Sequence, residues 1–394
     1  MNFNDLKSDI SNKDKVAIVV VGYNRIKSMT RLLTSLKQAE YPINDVPLVI
    51  SIDCSGDHEL YSYVLEFEWP YGEKYVNIQN ERLGLKNHIF KCGDLTHYFK
   101  AIILLEDDLV VSPYYYSYTL KTLQKYGDID AIAQISLYKN EMNGYVGLPF
   151  DNFKTGADVF LMQDVSTWGE CWNSRMWNEF VEWKEVHDEG YISDVDMPLR
   201  IKQWTRAWSK YYNAFVVDKG KYVLYPNISV TTNFSDAGEH GGDNNSAVQV
   251  NLLQSDFEYR LPEYENLVKY DIYFNNQEIY NWLDMPKDQL CLDLYGFNRI
   301  PSNQRYILSS RLLPYAVVDT YALNMRPIEM NILKRINGRG LYLYDTRISE
   351  NRSDSFNPDI VSYFIRNFNI RILAFYLLRY YKNAIRRKVF KCKK

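Results

Sequence analysis

Three consecutive carboxylates, Glu106, Asp107 and Asp108, are the residues of this chain best suited to chemistry. They directly follow the apolar run 101–105, so a strand that is covered on both faces is predicted to end in three acids. Adjacent acids repel one another, and a divalent cation or a hydrogen-bonding ligand would offset that cost. The alternative is an acidic turn in contact with water. The position after a buried strand favours a ligand site, because open α/β sheets bind ligands beyond the carboxyl ends of their strands.

Other polar residues follow further apolar runs, at the points where each predicted strand ends. They are Tyr23, Asn24 and Arg25 after the run 16–21, Asp53 after 46–52, and Arg82, Lys86 and His88 after 76–79. Asp53 could accept hydrogen bonds from a ribose or a base, and it could equally cap the following helix. The three basic residues lie near a helix start, where they could contact a diphosphate. The GxGxxG dinucleotide fingerprint is absent.

Strands, turns and helices alternate along the first part of the chain, which predicts an α/β fold with a mostly parallel central sheet flanked by helices. The 394 residues, 46% hydrophobic and 24% charged, are typical of a globular protein. The five cysteines are scattered and form no CxxC pair, so we expect reduced thiols, no structural zinc and a cytoplasmic location. We expect neither a signal peptide nor a transmembrane helix.

Six groups of residues carry a resemblance to a known family. They are 21–25 (VGYNR), 51–54 (SIDC), 83–88 (LGLKNH), 105–113 (LEDDLVVSP), 166–169 (STWG), and 225–228 (YPNI) with 233–240 (NFSDAGEH). Together they resemble glycosyltransferases of the GT-A fold. The similarity is to bacterial polysaccharide-locus transferases of family 2 or haemolysin type, and more remotely to the eukaryotic N-acetylglucosaminyltransferase of complex N-glycan synthesis.

The resemblance implies a metal-dependent, inverting transfer of a sugar from a nucleotide-sugar, which we expect to be a UDP-sugar. The three acids correspond to a variant of the DxD motif, in which Asp108 binds Mn²⁺ (or Mg²⁺) and Glu106 and Asp107 hold ribose and sugar hydroxyls. A metal there stabilises the charge that develops on the leaving diphosphate. The resemblance also places Asp53 at the base or ribose, and His240 on a loop that closes over the donor.

The segment 166–172 matches the family's acceptor-side segment, so Trp168, Gly169 and Trp172 are the predicted acceptor-binding residues. Tryptophan rings offer apolar faces to sugar C–H groups, and a glycine lets the backbone approach the sugar. The alternative is that both tryptophans lie in the core, since Trp172 also fits an apolar helix face.

An inverting transfer needs a general base that takes the proton from the acceptor hydroxyl. Similar proteins place an acid just before the tryptophan that corresponds to Trp204, where this chain has Lys202 and Gln203. The nearest candidate bases are, in order of preference, Asp196, Asp194 and Glu170. For each of them the alternative is a surface acid with no catalytic role.

The sequence suggests three parts: a glycosyltransferase domain over 1–250, an accessory domain over 251–360 and a basic tail over 361–394. Residues 366–394 contain ten lysines or arginines and no acid, so the rest of the chain carries a formal net charge of −3 − 10 = −13. Apolar and aromatic residues alternate with these cations, as in a helix lying in an anionic membrane surface. A partner-binding helix is the alternative, and the acidic body argues against nucleic acid.

These observations together predict a transferase that adds a sugar to a lipid-linked glycan or oligosaccharide, peripherally attached to the inner face of the cell membrane. Bacterial capsule or O-antigen would be the product, and the accessory domain could form a homodimer. Two other classes stay open. A sugar-nucleotide nucleotidyltransferase would need a glycine-rich phosphate loop, for which residues 22–25 are too short, and a non-catalytic glycan-binding or scaffold protein could keep the same fold.

Overall fold

A computed structural model describes residues 10–236, 248–301, 303–365 and 369–391. Its strands are, in chain order, β1 (Val16–Gly22), β2 (Leu48–Ile52), β3 (Lys74–Ile78), β4 (Ala101–Glu106), β5 (Leu109–Val111), β6 (Ile132–Ser136), β7 (Met142–Asn143), β8 (Leu148–Pro149), β9 (Val159–Met162), β10 (Glu170–Asn173), β11 (Tyr222–Pro226), β12 (Thr231–Asn233), β13 (Lys269–Tyr270), β14 (Leu290–Asp293), β15 (Tyr306–Ser309), β16 (Tyr315–Ala322) and β17 (Gly340–Ser349).

Nine of these strands form a central sheet in the order β13-β9-β11-β6-β10-β4-β1-β2-β3. Pairing is parallel from β4 through β1 and β2 to β3, whereas β10 runs antiparallel between β4 and β6. The continuous aliphatic run of β1 has at most 4% exposure from Val16 to Val21, as expected for a strand covered on both faces. The predicted α/β fold with a mostly parallel sheet is therefore confirmed.

Helices cover the sheet and bring its connecting loops to one edge. They are α1 (Ile26–Lys37), α2 (His58–Glu66), α3 (Gly84–Gly93), α4 (Tyr115–Tyr126), α5 (Ser174–Val186), α6 (Glu189–Asp194), α7 (Leu199–Lys202), α8 (Ser209–Asp218), α9 (Ile279–Leu283), α10 (Met330–Leu333), α11 (Pro358–Ile365) and α12 (Ile370–Lys391). Helix α1 shows the pattern best: Met29, Leu32, Leu33 and Leu36 recur at helical spacing and are fully buried. Asn173 caps the start of helix α5, because its side chain accepts a hydrogen bond from the backbone N–H of Met176.

The C-terminal part contributes a second, four-stranded sheet in the order β14-β15-β17-β16. Strand β13 nevertheless pairs with β9 in the central sheet. The central sheet therefore includes a strand that lies beyond residue 250, where the first domain was expected to end. One hydrophobic core contains residues of both sheets, for example Val19 and Leu343. The two parts therefore pack together.

Helix α12 carries exposed apolar side chains along its described length, including Phe375 and Leu378 at 68% and 72% exposure. Among the described residues, no helix combines the length and the apolar character needed to cross a bilayer. The cysteines in the described ranges, Cys54, Cys92, Cys171 and Cys291, all have free thiols.

Candidate active site

The three acids lie at the carboxyl end of β4, in the middle of the central sheet. Glu106 is the last residue of β4 and is in register with Val21 of β1. Asp107 and Asp108 form the turn that leads into β5. The loops after β1 and β2 reach the same edge, because these strands run parallel to β4. The acids therefore lie at the carboxyl edge of the parallel strands, where open α/β sheets bind their ligands.

Arg25, from the turn between β1 and α1, binds two of the acids. Its Nε donates to Asp107 Oδ2 at 3.3 Å, its Nη2 contacts Asp107 Oδ1, and its Nη1 donates to Asp108 Oδ2 at 3.2 Å. Burial raises the pKa of Asp107 to about 6, and the adjacent Arg25 charge opposes that rise. A residue predicted to contact the donor therefore holds the acidic turn in place.

One oxygen of the acidic turn has no partner. Asp108 Oδ1 is buried and accepts no hydrogen bond from the described part of the chain. A buried carboxylate oxygen without a donor is costly, and a cation would offset that cost. Within the described ranges, no three metal-binding side chains converge on one point. Asp108 therefore fits Mn²⁺ or Mg²⁺ as a single protein ligand, with a bound diphosphate supplying other oxygens.

Glu106 and Glu170 form a second acidic pair beside the turn. Glu170 of β10 lies opposite Leu104 of β4, so its side chain shares a face of the sheet with Glu106, two residues further along. Burial, followed by the charges of Asp108 and Asp107, raises the pKa of Glu106 to about 8. Burial, followed by the charge of Glu106, also raises the pKa of Glu170 well above its usual value.

Glu170 is a poor general base in this position. Its side chain is completely buried, and its Oε2 accepts a hydrogen bond from the backbone N–H of Gly169 at 3.0 Å. An acceptor hydroxyl cannot reach a carboxylate that has no exposed surface. The expectation that Glu170 could serve as the base is therefore wrong for this conformation.

Two of the predicted donor-binding residues contact each other near the loop after β1. The guanidinium of Arg82 lies 4.8 Å from the ring centroid of Tyr23. Asn24 is exposed in the same turn as Arg25. These side chains could contact a nucleotide bound at the carboxyl ends of β1 to β3.

Asp53 serves the backbone in this structure. Its Oδ1 accepts from the N–H groups of Cys54 and Leu83, and its Oδ2 accepts from that of Gly84. The carboxylate thus links the end of β2 to the start of α3, much as a helix cap would. A contact with a base or ribose stays a prediction.

The remaining basic candidates after β3 make hydrogen bonds to other side chains of the protein. Lys86 Nζ donates to the hydroxyl of Tyr211 at 3.1 Å. His88 is 2% exposed, and its Nε2 pairs with Ser51 Oγ at 2.7 Å. Burial lowers the pKa of His88 to about 4, so the imidazole is neutral at physiological pH. The expectation that His88 contacts a diphosphate as a cation is wrong.

The acceptor-side segment divides into a surface residue and a core residue. Trp168 is partly exposed and packs edge-on against Tyr138, with ring centroids 4.7 Å apart. Trp172 is fully buried among aromatic rings that include Trp177 and Trp208. The expectation that Trp172 binds the acceptor is wrong, because β10 directs its ring into the core.

Gly169 explains the tight turn between these two tryptophans. Its φ is +100°, and a Cβ at this position would lie 2.9 Å from Thr231 Cγ2. Only glycine fits this combination of backbone angle and close approach. The turn brings the segment 166–169 against Thr231, two residues before the end of β12.

Asp194 and Asp196 are exposed at the end of α6 and just after it. The hydroxyl of Tyr273 donates to Asp196 Oδ1 at 2.7 Å. No hydrogen bond or ion pair within the described ranges joins either aspartate to the acidic turn. Their role as bases stays a prediction, and His240 lies outside the described residues.

The structure adds two acids that the sequence did not single out. Asp236 accepts from Ser28 Oγ at 2.6 Å and pairs with Arg31, which places the start of the expected donor loop beside α1. Asp164 is buried, and its pKa is raised to about 7 by that burial. Asp164 lies two residues after the end of β9, close to the kind of signal that identified the acids after β4.

Neither the protein-family models nor the curated proteins contain a match to this chain. Several solved structures resemble it over a little more than half of its length. One is S. aureus TarS 1–349 with UDP-GlcNAc, with a TM-score of 0.37 and 12% identity, covering 57% of this chain and 60% of that one. Another is the mannosyltransferase PcManGT from Pyrobaculum calidifontis with GDP-Man and Mn²⁺, with a TM-score of 0.38 and 12% identity, covering 59% and 60%.

A third is GalNAc-T7 with UDP, GalNAc and Mn²⁺, with a TM-score of 0.38 and 13% identity, covering 55% of this chain and 43% of that one. This chain therefore spans three fifths or less of the length of each of these structures.

Proposed function

We propose that this protein is a GT-A glycosyltransferase that transfers a sugar from a nucleotide-sugar, in particular a UDP-sugar, with the help of Mn²⁺ or Mg²⁺. The observation that carries the proposal is the buried, unpartnered Asp108 Oδ1 at the edge of the sheet. Four of the six groups that resemble this family lie around the same edge, where β1, β2, β3 and β4 end.

In this proposal each residue of the crevice has a separate task. Asp108 would hold the cation, which supplies positive charge to the leaving nucleoside diphosphate. Arg25 fixes the direction of Asp107 and Asp108, so the acids do not have to reorganise when the donor binds. Glu106 and Asp107 would accept hydrogen bonds from ribose and sugar hydroxyls.

The acceptor would enter from the side of Trp168 and Gly169, across the sheet from the nucleotide. We propose that an aspartate accepts the proton of its hydroxyl during an inverting transfer, and Asp196 followed by Asp194 are the candidates. Both are exposed and could be reached by a substrate, unlike Glu170.

We further propose that the acceptor is a lipid-linked glycan or oligosaccharide in the synthesis of a bacterial surface polysaccharide, such as capsule or O-antigen. Helix α12 supports attachment to a membrane surface, because it exposes Phe375 and Leu378 beside arginine and lysine residues. The protein would then work peripherally at the cytoplasmic face of the cell membrane, as a monomer or a homodimer.

Calorimetric titration with UDP, with and without Mn²⁺, tests this proposal directly. The wild-type protein should bind UDP more tightly with Mn²⁺, and Asp108→Ala should lose this metal dependence together with sugar transfer. Asp288→Ala, which removes an exposed acid far along the sequence from the crevice, is the matched control. Metal-dependent UDP binding and transfer by Asp108→Ala would refute the role of Asp108.

A further inference from the structure

Phe234 places an exposed aromatic side chain beside the acidic turn. Its backbone N–H donates to the carbonyl of Asp108 at 2.8 Å, which continues the antiparallel pairing of Asn233 with Leu109. Phe234 is therefore directly opposite Asp108 at the end of the β5–β12 pair. Directly opposite residues of antiparallel strands have Cβ atoms about 5 Å apart. The ring of Phe234 is thus a near neighbour of the carboxylate that is proposed to hold the cation.

Burial alternates along both strands and shows which side chains share a face. From 231 to 236 the odd-numbered residues are buried and the even-numbered ones are partly or largely exposed, with Phe234 at 47% exposure. From 108 to 111 the odd-numbered residues are again buried, and Asp108 is partly exposed. Successive side chains of a strand point to opposite faces. Phe234 and Asp108 therefore extend from the same, exposed face of this pair.

Arg31 of helix α1 covers one face of the Phe234 ring. Its guanidinium carbon lies 3.6 Å from the ring centroid, an arrangement in which the cation is attracted to the aromatic face. Its Nη2 also pairs with Asp236, which accepts a second hydrogen bond from Ser28 Oγ at 2.6 Å. The charge of Arg31 is therefore already paired with a carboxylate. The other face and the edge of the ring form the apolar surface that is exposed beside Asp108.

The segment that carries Phe234 connects the acidic turn to the expected acceptor side. The loops expected to bind the nucleoside follow β1 to β3, on one side of β4, whereas β10 lies on its other side. Thr231 Oγ1 donates to the carbonyl of Trp168, shortly before β10. In a nucleotide-sugar the diphosphate joins the nucleoside to the sugar. With the diphosphate at Asp108 and the nucleoside at the ends of β1 to β3, the sugar would extend towards β12 and Phe234.

We propose that Phe234 binds the transferred sugar of the donor, by stacking its exposed ring surface against the apolar C–H face of a hexopyranose. An aromatic ring buries a large apolar area in a defined orientation, and a few polar groups then fix the hydroxyls. Glu106 and Asp107 would supply those polar groups, while Phe234 recognises the C–H face. The inference rests on the proposed transferase function, and within it names the class of sugar and a residue that determines specificity.

Calorimetric titration of the full chain in the presence of Mn²⁺ tests this inference by comparing UDP with the UDP-hexoses UDP-glucose, UDP-galactose, UDP-GlcNAc and UDP-GalNAc. Phe234→Leu keeps apolar bulk but removes the ring. For the UDP-hexose that binds best to the wild-type protein, this variant should lose at least about fivefold in affinity, while its affinity for UDP stays within about twofold. Phe234→Tyr keeps the ring and should retain both affinities.

Phe356→Leu is the matched control, because Phe356 is another exposed phenylalanine, with 64% exposure, in the C-terminal part of the chain. This control variant should bind UDP and the UDP-hexose as the wild-type protein does. Thermal unfolding of each variant checks that the fold is kept. If Phe234→Leu does not fold, Phe234→Met, which also lacks a ring, takes its place with the same expected result.

The remaining outcomes separate a failure of the inference from a failure of the proposed function. An equal loss of affinity for UDP and for the UDP-hexose in Phe234→Leu would show that the residue supports the acidic turn, and would overturn the inference. Unchanged affinities for both ligands would overturn it as well, and so would a wild-type protein that binds UDP but none of these UDP-hexoses. A wild-type protein that does not bind UDP would refute the proposed function, and the inference with it.

Discussion

Replacing Arg25 with methionine should destabilise the protein by an amount that grows with pH. The guanidinium group of Arg25 faces both Asp107 and Asp108, and methionine removes its charge while keeping much of its apolar stem. Asp107, with 3% exposure, would then hold a buried carboxylate without its cation. An acid whose pKa is raised in the folded state destabilises the fold as pH rises above its unfolded value.

The size of the effect follows from the pKa of Asp107, which is about 6 in the presence of Arg25. With Arg25 in place, the cost of ionising this carboxyl stops growing near pH 6. Without Arg25 the pKa is higher, and the cost continues to grow by about 1.4 kcal/mol per pH unit. Relative to the difference at pH 5, the loss of stability in Arg25→Met should therefore be about 1.4 kcal/mol larger at pH 7 and larger again at pH 8.

Urea unfolding at pH 5, 7 and 8 in a buffer with a metal chelator measures this difference. The double variant Arg25→Met/Asp107→Asn should regain stability at pH 8, because no buried charge is left at position 107. Arg31→Met is the control: Arg31 pairs with Asp236, whose pKa is lowered, so its loss should be independent of pH in this range. A pH-independent loss in Arg25→Met, or no recovery in the double variant, would refute the reasoning.

Three further predictions use other parts of the structure. Asp164→Asn should gain stability relative to the wild type as pH rises from about 4 to about 7, by up to about 4 kcal/mol in urea unfolding. The reason is that the pKa of Asp164, raised to about 7, makes the ionised carboxyl costly in the folded protein. Equal pH dependence of the two proteins would contradict this. Trp172→Ala should lose about 3–5 kcal/mol of stability, because the variant leaves a cavity in the core. Trp168→Ala should fold normally and raise the KM for the acceptor. An unchanged KM would exclude Trp168 from the acceptor site. The full chain should bind vesicles that contain phosphatidylglycerol, and Phe375→Ser/Leu378→Ser should weaken this binding at least about tenfold in co-sedimentation. Ile43→Ser, which removes a different exposed apolar side chain, should have no effect. Equal binding by all three proteins would exclude helix α12 as the anchor.

The parts of the fold that could be predicted from the sequence are those with a continuous or periodic apolar signal. The runs 16–21 and 101–105 are buried strands in the structure, and the alternating residues 341–344 lie in β17. The acids after β4 were identified because an apolar strand ends in them. Strand β13 has only two residues and no period, which is why its place in the central sheet was not predicted.

Residues whose environment is set by distant partners were harder to place. His88 is neutral because it is buried against Ser51, 37 positions earlier in the chain. Arg25 and Asp107 are 82 positions apart, and their contact depends on the register of β1 and β4. Trp172 fits both an acceptor-side segment and an apolar helix face by its local pattern, and only distant neighbours such as Trp208 show that its ring lies in the core.

The segment 227–234 has a thermodynamic consequence. The carbonyl of Asp108 accepts a hydrogen bond from the N–H of Phe234 at 2.8 Å, and Thr231 Oγ1 donates to the carbonyl of Trp168. The same segment therefore contacts both the acidic turn and the expected acceptor side. If donor binding changes the affinity for the acceptor through these bonds, acceptor binding must change the affinity for the donor by the same factor, because linkage is reciprocal.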